Sequence, residues 1–265
     1  MQLGTSYQRT VSNHAYPPPV ARLLGEFEAA VALLCETLKF DGLLSLQARS
    51  NGEIPLIMAE ANSRRELRAI ARQADAASSE AFQQLLGGGQ LSITVEPEQG
   101  ERYQGIVSLT GSNLARCIET YFNQSEQLAT RLWLFSDGER AGGLLLQQLP
   151  LSKGSDRERQ REEWAHLVHL TETVTAGEAL SLSHDDILRR LYHQENVRVF
   201  EAVPVTFRCS CSRERTLSAL RVLGRQAALE VIEEMGSIDI HCEFCHQHYH
   251  FGHTDIAEAF TPTIH

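Results

Sequence analysis

The chain has 265 residues, 42% of them hydrophobic, and a formal net charge of -10. An acidic balance argues against nucleic acid and against an anionic membrane surface as main partners, because both call for a basic face. No stretch approaches the roughly 18 consecutive apolar residues of a membrane helix and no secretory signal begins the chain, so we expect a cytoplasmic protein whose thiols stay reduced.

Residues 1–150 predict an α+β core domain, in which a mixed sheet packs with a few helices. Residues 19–38 place apolar side chains at three- and four-residue steps and predict a helix with one buried face; a second helix is predicted over Ser112–Ser125. Short β-forming runs between turn residues predict strands at Leu43–Ala48, Ile54–Ala59, Leu91–Glu96, Tyr103–Leu109, Leu132–Phe135 and Leu144–Leu149. Turns are predicted at 50–52, 87–89 and 136–138, the glycine triplet 87–89 as a hairpin turn.

Residues 151–200 are densely charged and predict a helical linker. Amphipathic helices of this kind bury only a narrow face and are weakly stable alone. Ser183 precedes one of them in a pattern that resembles a capping box, with Asp186 in place of the usual Glu. On composition alone, a solvated helical connector is the simplest interpretation.

Residues 201–265 predict a small zinc-binding domain, because four of the six cysteines cluster there. Cys209 and Cys211 form a C-x-C pair, and Cys242 and Cys245 form a C-x-x-C pair. Two close pairs of thiolates suit the tetrahedral four-ligand shell of Zn²⁺, so we predict one zinc ion per chain in the reduced state. Four sulfur ligands leave no open position for water, which excludes a hydrolytic zinc site.

The spacing of the cysteines leaves three alternatives to an oxidant-sensing zinc site. These are an inert structural zinc, an iron–sulfur centre, and a redox C-x-x-C pair beside an incidental C-x-C. Histidines near the site could compete as ligands, but surface positions on a hairpin are the simpler interpretation for His241, His246, His248, His250 and His253. Cys35 and Cys117 lie on apolar helix faces and are predicted to be small core residues. Helices are predicted over 212–223 and 225–235, between the two cysteine pairs.

The sequence contains no catalytic constellation, so we predict that the protein is not an enzyme. It has no G-x-x-x-x-G-K-[ST] phosphate loop, no G-x-S-x-G elbow and no H-E-x-x-H motif. A thiol–disulfide oxidoreductase using Cys242 and Cys245 would need a βαβ setting that the pattern does not indicate. A structural zinc ribbon for interaction or nucleic-acid binding is the main alternative function, and the acidic third region disfavours the nucleic acid.

Several motifs together resemble the heat shock protein 33 family, the bacterial 33 kDa chaperonins. The resemblance covers residues 13–259, and its zinc pattern and core signature are independent of each other. The matching segments are 37–42, 100–105, Tyr121–Gln127, 191–193, Cys209–Arg215 and His241–Cys245, the last followed by Tyr249 and Phe251. Ala129 stands where the family usually has Pro. The family usually has a further segment with a core strand before the point that matches Met1, so we expect an incomplete N-terminal sheet.

The resemblance implies a redox-regulated, ATP-independent holdase that keeps unfolding or oxidatively damaged client proteins from aggregating. In such a protein the reduced, zinc-bound form is inactive. Oxidation is expected to form the disulfides Cys209–Cys211 and Cys242–Cys245, release the zinc, unfold the metal domain and linker, and activate the chaperone, commonly as a homodimer. The chemistry suits the residues, since zinc-held thiolates are nucleophilic and structural zinc contributes folding energy.

Overall fold

The computed structural model describes residues 1–38, 40–126, 128–150 and 156–260. The chain divides into two compact units, Met1–Arg208 and Cys209–His265. Both contain helices and mainly antiparallel sheet, which confirms the predicted α+β class. Of the helices in the described ranges, none is both long and apolar enough to cross a membrane.

The described residues form strands and helices in both units. The strands are β1 Gln2–Leu3, β2 Gly42–Arg49, β3 Leu56–Asn62, β4 Glu66–Arg72, β5 Gln90–Pro97, β6 Tyr103–Ser108, β7 Thr130–Ser136, β8 Ala141–Gln147, β9 Thr206–Phe207, β10 Ile238–His241 and β11 His248–Phe251. The helices are α1 Thr5–Val11, α2 Pro18–Thr37, α3 Phe82–Leu86, α4 Leu114–Tyr121, α5 Arg157–Thr171, α6 Ala176–Ser181, α7 His184–Tyr192, α8 Arg213–Leu223, α9 Arg225–Met235 and α10 His253–Ala259. A π-helical segment, Phe122–Glu126, continues α4.

The larger sheet of the first unit has the strand order β6-β5-β2-β3-β4-β9. Its pairs are antiparallel except that of β4 with β9. Alternate residues of β2, namely Leu44, Leu46 and Ala48, are fully buried, as expected for a strand with one face on the core. A second sheet has the order β1-β8-β7.

Helix α2 is the central element of the first unit, because it packs against strands of both sheets. Pro18 opens the helix at its first position, where the missing N–H costs nothing. Apolar side chains such as Leu24 and Phe27 are fully buried. At Gly25 an added Cβ would lie 2.5 Å from Ser136 Oγ, so glycine is what lets the helix approach the β7–β8 hairpin.

The charged helices of residues 156–192 bury little. In α5 only Val168 and Thr171 are buried, and a small cluster of Ile187, Leu191 and Tyr192 holds α7. Ser183 caps α7 by accepting a hydrogen bond from Asp186 N at 3.1 Å, as its position predicts. Residues 151–155 of the predicted linker lie outside the described residues.

The second unit contains α8, α9, the antiparallel β10–β11 hairpin and α10. A core of six buried residues joins them: Leu220, Ala228, Ile232, Ile238, Phe251 and Ile256. Gly236 ends α9 in the left-handed region, with φ of 83°, where glycine carries no Cβ penalty.

One predicted turn is wrong, and several short elements went unpredicted. Gly87–Gly89 does not join two paired strands; it connects α3 to β5, and β5 pairs with β2 and β6. The elements without a sequence prediction include β1, α1, β4, α3 and β9.

Candidate metal centre

Two segments of the second unit carry the four clustered cysteines. Cys209 and Cys211 lie immediately before α8, whose first turn is capped by Ser212 accepting from Arg215 N at 3.2 Å. Cys242 directly follows β10, and Cys245 lies in the turn to β11. The cysteine pairs are therefore held at a helix start and at a hairpin turn.

A tight knuckle shapes the second pair. Cys242 O accepts from His246 N at 2.8 Å, and Cys242 N donates to Gln247 O at 2.9 Å. His246 takes a positive φ of 57°, a conformation that few residues other than glycine adopt. The chain thereby turns back within a few residues, and Cys245 is brought to the same side as Cys242.

The four sulfur atoms converge on one point. All lie within 4.8 Å of one another; Cys209 Sγ is 3.5 Å from Cys242 Sγ, and Cys211 Sγ is 3.4 Å from Cys245 Sγ. A tetrahedral shell with Zn–S bonds of about 2.3 Å places its sulfurs about 3.8 Å apart. The four cysteines thus form a group that could bind one metal ion, as their spacing predicts.

The thiols are partly withdrawn from solvent, and this affects their protonation. Burial raises the pKa of the Cys211 thiol and that of Cys245. Tyr249 Oη donates to Cys211 Sγ at 3.2 Å, and this hydrogen bond raises the pKa of the tyrosine. A cation between the sulfurs would oppose the effect of burial, because it favours the thiolate form.

Packing beside α8 fixes the first cysteine pair. The Arg213 guanidinium lies 4.5 Å from the ring centroid of Phe251 and pairs with Asp255 at 2.5 Å. Arg215 Nη1 also donates to Ser210 O at 2.9 Å, between the two cysteines of the pair. The sequence did not predict these contacts, because they join residues far apart in the chain.

The neighbouring histidines lie on the surface, as expected. All five are exposed: His241, His246, His248, His250 and His253. Cys117 is buried in α4 and Cys35 is half-buried in α2, both packed with the first unit's core. Burial raises the pKa of Cys35 to about 11, which leaves its thiol protonated and unreactive at neutral pH.

Two acidic side chains of α2 were missed by sequence analysis. Glu28 is fully buried, and desolvation raises its pKa to about 8. Desolvation also raises the pKa of Glu26, to about 7. The sequence did not indicate that these two glutamates are buried, because the buried face of a helix is predicted from its apolar residues.

Comparisons with known proteins find relatives of this chain in sequence and in fold. The family model described as Hsp33 protein matches residues 1–252. The 33 kDa chaperonin of Pseudomonas syringae pv. tomato is 52% identical over 261 residues, covering 97% of this chain and 87% of the relative. That of Azotobacter vinelandii is 53% identical, covering 97% and 88%. The crystal structure of the 33 kDa chaperonin (heat shock protein 33 homolog) from Thermotoga maritima matches with a TM-score of 0.82 at 20% identity, covering 97% of this chain and 90% of that one, which shows a shared fold.

Proposed function

The chain belongs to the Hsp33 family, and on that premise we propose that it is a redox-regulated, ATP-independent holdase. It binds unfolding or oxidatively damaged proteins and keeps them from aggregating. The observation that carries the proposal is the convergence of Cys209, Cys211, Cys242 and Cys245 within 4.8 Å. Its role is binding and not catalysis, in a reducing cytoplasm that keeps the thiols free for the metal.

The metal of the proposal is zinc, held in the reduced state by the four cysteines. A donor set made only of sulfur suits Zn²⁺. The distances between the sulfur atoms are close to those in a tetrahedral shell. Zinc, when bound, supplies charge that keeps the sulfurs as thiolates and ties the start of α8 to the β10–β11 hairpin. Four sulfur ligands leave no position for a substrate or water, which favours a structural and sensing role.

The sensing step is oxidation of the cysteines by a peroxide. A thiolate sulfur attacks the peroxide O–O bond and becomes a sulfenic acid, while the peroxide is reduced to water. The neighbouring thiolate of the pair then attacks the sulfenic sulfur and forms the disulfide, while the sulfenic hydroxyl leaves and is protonated to a second water. We assign the disulfides Cys209–Cys211 and Cys242–Cys245, which remove two metal-binding thiolates each.

The disulfide assignment can be tested separately, because the shortest sulfur separations in the reduced cluster run between the pairs. Cys209 lies 3.5 Å from Cys242, and Cys211 lies 3.4 Å from Cys245. Peptide mapping of the oxidised chain by mass spectrometry should nevertheless find links within each pair, because short loops stay closed after the unit unfolds. Predominant Cys209–Cys242 and Cys211–Cys245 links would overturn the assignment.

Client binding requires apolar surface that the reduced, folded chain presents only in part. In the stretch between α7 and β9, Phe200 is 74% exposed and Val199 is 54% exposed. Helix α5 has two buried residues and is held by little packing. Unfolding of these segments on oxidation would add apolar surface that matches an unfolding client, and a homodimer would double it.

The deciding experiment compares reduced and oxidised full-length protein. Peroxide with mild heat should release one zinc per chain, lower the helix content, produce dimers in sedimentation and suppress aggregation of a thermally unfolding client, measured by light scattering. The double variant C242S/C245S should lose the metal and the switch, whereas C35S should behave as the native chain. If oxidised, zinc-free protein protects the client no better than the reduced form, the chaperone proposal fails and an inert structural zinc is the better account.

A further inference from the structure

The first unit has a groove of about 540 Å³ along the N-terminal half of α2. Its wall on α2 is one helical stripe at three- and four-residue steps, made of Pro19, Arg22, Leu23 and Glu26. The rest of the wall comes from the start of α3 and the start of α4, namely Glu80, Ala81, Phe82, Gln83, Leu85, Ser112 and Asn113. A volume between about 300 and 1,000 Å³ is usual for a small-ligand site.

Hydrogen bonds hold the walls of the groove in place. Gln83 Nε2 donates to Leu109 O at 3.0 Å and to Gly111 O at 2.5 Å, which ties α3 to the segment before α4. Asn113 Oδ1 accepts from Arg116 N at 2.9 Å and caps α4. The groove is therefore formed in the folded chain before any ligand arrives.

The Glu26 carboxylate lines this groove without a counter-charge. Arg22, one helical turn earlier, forms an ion pair with Glu80 through both carboxylate oxygens. Among the described residues, none forms a hydrogen bond or an ion pair with Glu26. Desolvation is the cause that raises the pKa of Glu26 to about 7, so a cation beside the carboxylate would relieve the cost of its desolvation.

Apolar side chains surround the carboxylate. Pro19, Leu23 and Leu85 are buried, and the half-buried Phe82 packs on the core of the first unit. An apolar wall lowers the local dielectric and strengthens the attraction between the carboxylate and a cation. It also provides contact area for a ligand with an apolar body, and Phe82 offers an aromatic surface to a planar cation.

We propose that this groove binds a planar organic cation, an amidinium or guanidinium group carried on an apolar body, with Glu26 as its counter-ion. The fork of such a cation can donate to both oxygens of one carboxylate. An anion is disfavoured, because Arg22 is the one cationic side chain among the described residues of the wall and it is already paired. A free small molecule and an arginine side chain of a peptide share this chemistry.

The experiment titrates the reduced, zinc-carrying, full-length chain with benzamidine and follows the backbone amides by NMR. Benzamide has nearly the same shape without the charge and is the control ligand. Benzamidine should bind at least tenfold more tightly than benzamide and shift the amides of α3 and the start of α4. E26Q should remove this preference for the cation, whereas E98Q, at an exposed glutamate outside the groove, should keep it.

The pH dependence gives a second readout that a merely structural role of Glu26 would not produce. An amidinium stays charged through the neutral range, and the other charged groups of the described wall, Arg22 and Glu80, pair with each other. The affinity for benzamidine should therefore fall about tenfold from pH 8 to pH 6, as Glu26 takes up a proton. The affinity of E26Q should not change over this range.

A blocked Leu-Arg-Leu tripeptide, compared with Leu-Gln-Leu, distinguishes the two sources of the cation. Either order of affinity between the arginine peptide and benzamidine supports the site, and the tighter ligand identifies the source. Equal binding of benzamidine and benzamide would overturn the proposal, and so would an E26Q chain that keeps the preference for the cation. If E26Q does not fold, A81W decides instead, since it places a ring in the groove from an exposed position, and unchanged benzamidine affinity in A81W refutes the site.

Discussion

Glu28 should make the first unit less stable as the pH rises through neutrality. The side chain lies in α2 with 0% exposure. Its Oε1 accepts from Thr10 Oγ1 at 2.5 Å, while Oε2 is buried and has no hydrogen-bond partner among the described residues. One hydrogen bond does not replace the water that a carboxylate loses, so the folded chain favours the protonated acid.

The direction and size of this pH effect on the free energy of unfolding follow from the linkage between protonation and folding. Burial raises the pKa of Glu28 from its ordinary value of 4.5 to about 8, so its contribution to stability is fully present below pH 4.5 and is lost as the pH rises through about 8. Each pH unit between these limits costs at most about 1.4 kcal/mol. Between about pH 5.5 and 7.5 the loss is therefore about 2 kcal/mol of unfolding free energy.

The variant E28Q removes the titration and keeps the shape of the side chain. Its unfolding free energy, relative to the native chain, should rise by about 2 kcal/mol between the two pH values. The chain has two tryptophans, so the measurement uses a W164F background in which only Trp133 of β7 fluoresces. Urea unfolding is followed by the fluorescence of Trp133. The exposed Glu98 provides the control, and E98Q should show no such pH-dependent difference. If E28Q and the native chain differ in unfolding free energy by the same amount at both pH values, the reasoning is refuted.

Three further outcomes are expected. Chelation of the metal under reducing conditions should lower the far-UV helical signal of α8 and α9 without changing Trp133 fluorescence, because the core of the first unit contains no part of the cysteine cluster. Y249F removes the hydrogen bond to Cys211 Sγ and should weaken zinc binding about tenfold in a chelator competition, with faster zinc release by peroxide. E119A removes a buried carboxylate that accepts from Arg116, Arg131 and Leu132 N and should cost about 3 kcal/mol in urea unfolding of the first unit; a loss under 1 kcal/mol would show that the two arginines find other partners.

Elements with a strong local pattern were predictable from the sequence. Helix α9 runs over Arg225–Met235 as predicted, since the apolar spacing is helical and Gly236 ends it. Strand β4 was missed because Leu67, Ala69 and Ala71 give only a weak apolar alternation, which Ile70 interrupts. Two-residue strands such as β1 exist only through their partner and have no local signal.

The cysteine cluster was predictable for a different reason. Ligand pairs at short spacing restrict the geometry before the fold is known, so the convergence of Cys209, Cys211, Cys242 and Cys245 follows from residue type and spacing. What the sequence did not predict is tertiary: the hydrogen bond from Tyr249, and the sharing of Asp239 by two histidines. Those depend on strand register, which only the folded hairpin defines.

The contrast between the two cores supports the proposed redox switch at the four sulfurs. Among its described residues, the second unit has a core of only six buried apolar side chains, and a core of that size rarely stabilises a small domain without a metal or disulfide. Its cysteine pairs come from opposite ends of the α8–α9 segment, so a shared ion closes that segment into a loop and lowers the entropy of the unfolded chain. Disulfides within each pair close loops of only a few residues, and they no longer link the two ends of the α8–α9 segment. The first unit has a far larger core that contains none of the four cysteines, so the proposed oxidation would unfold the small unit and the weakly packed segments around α5 while the main core of the first unit stays folded.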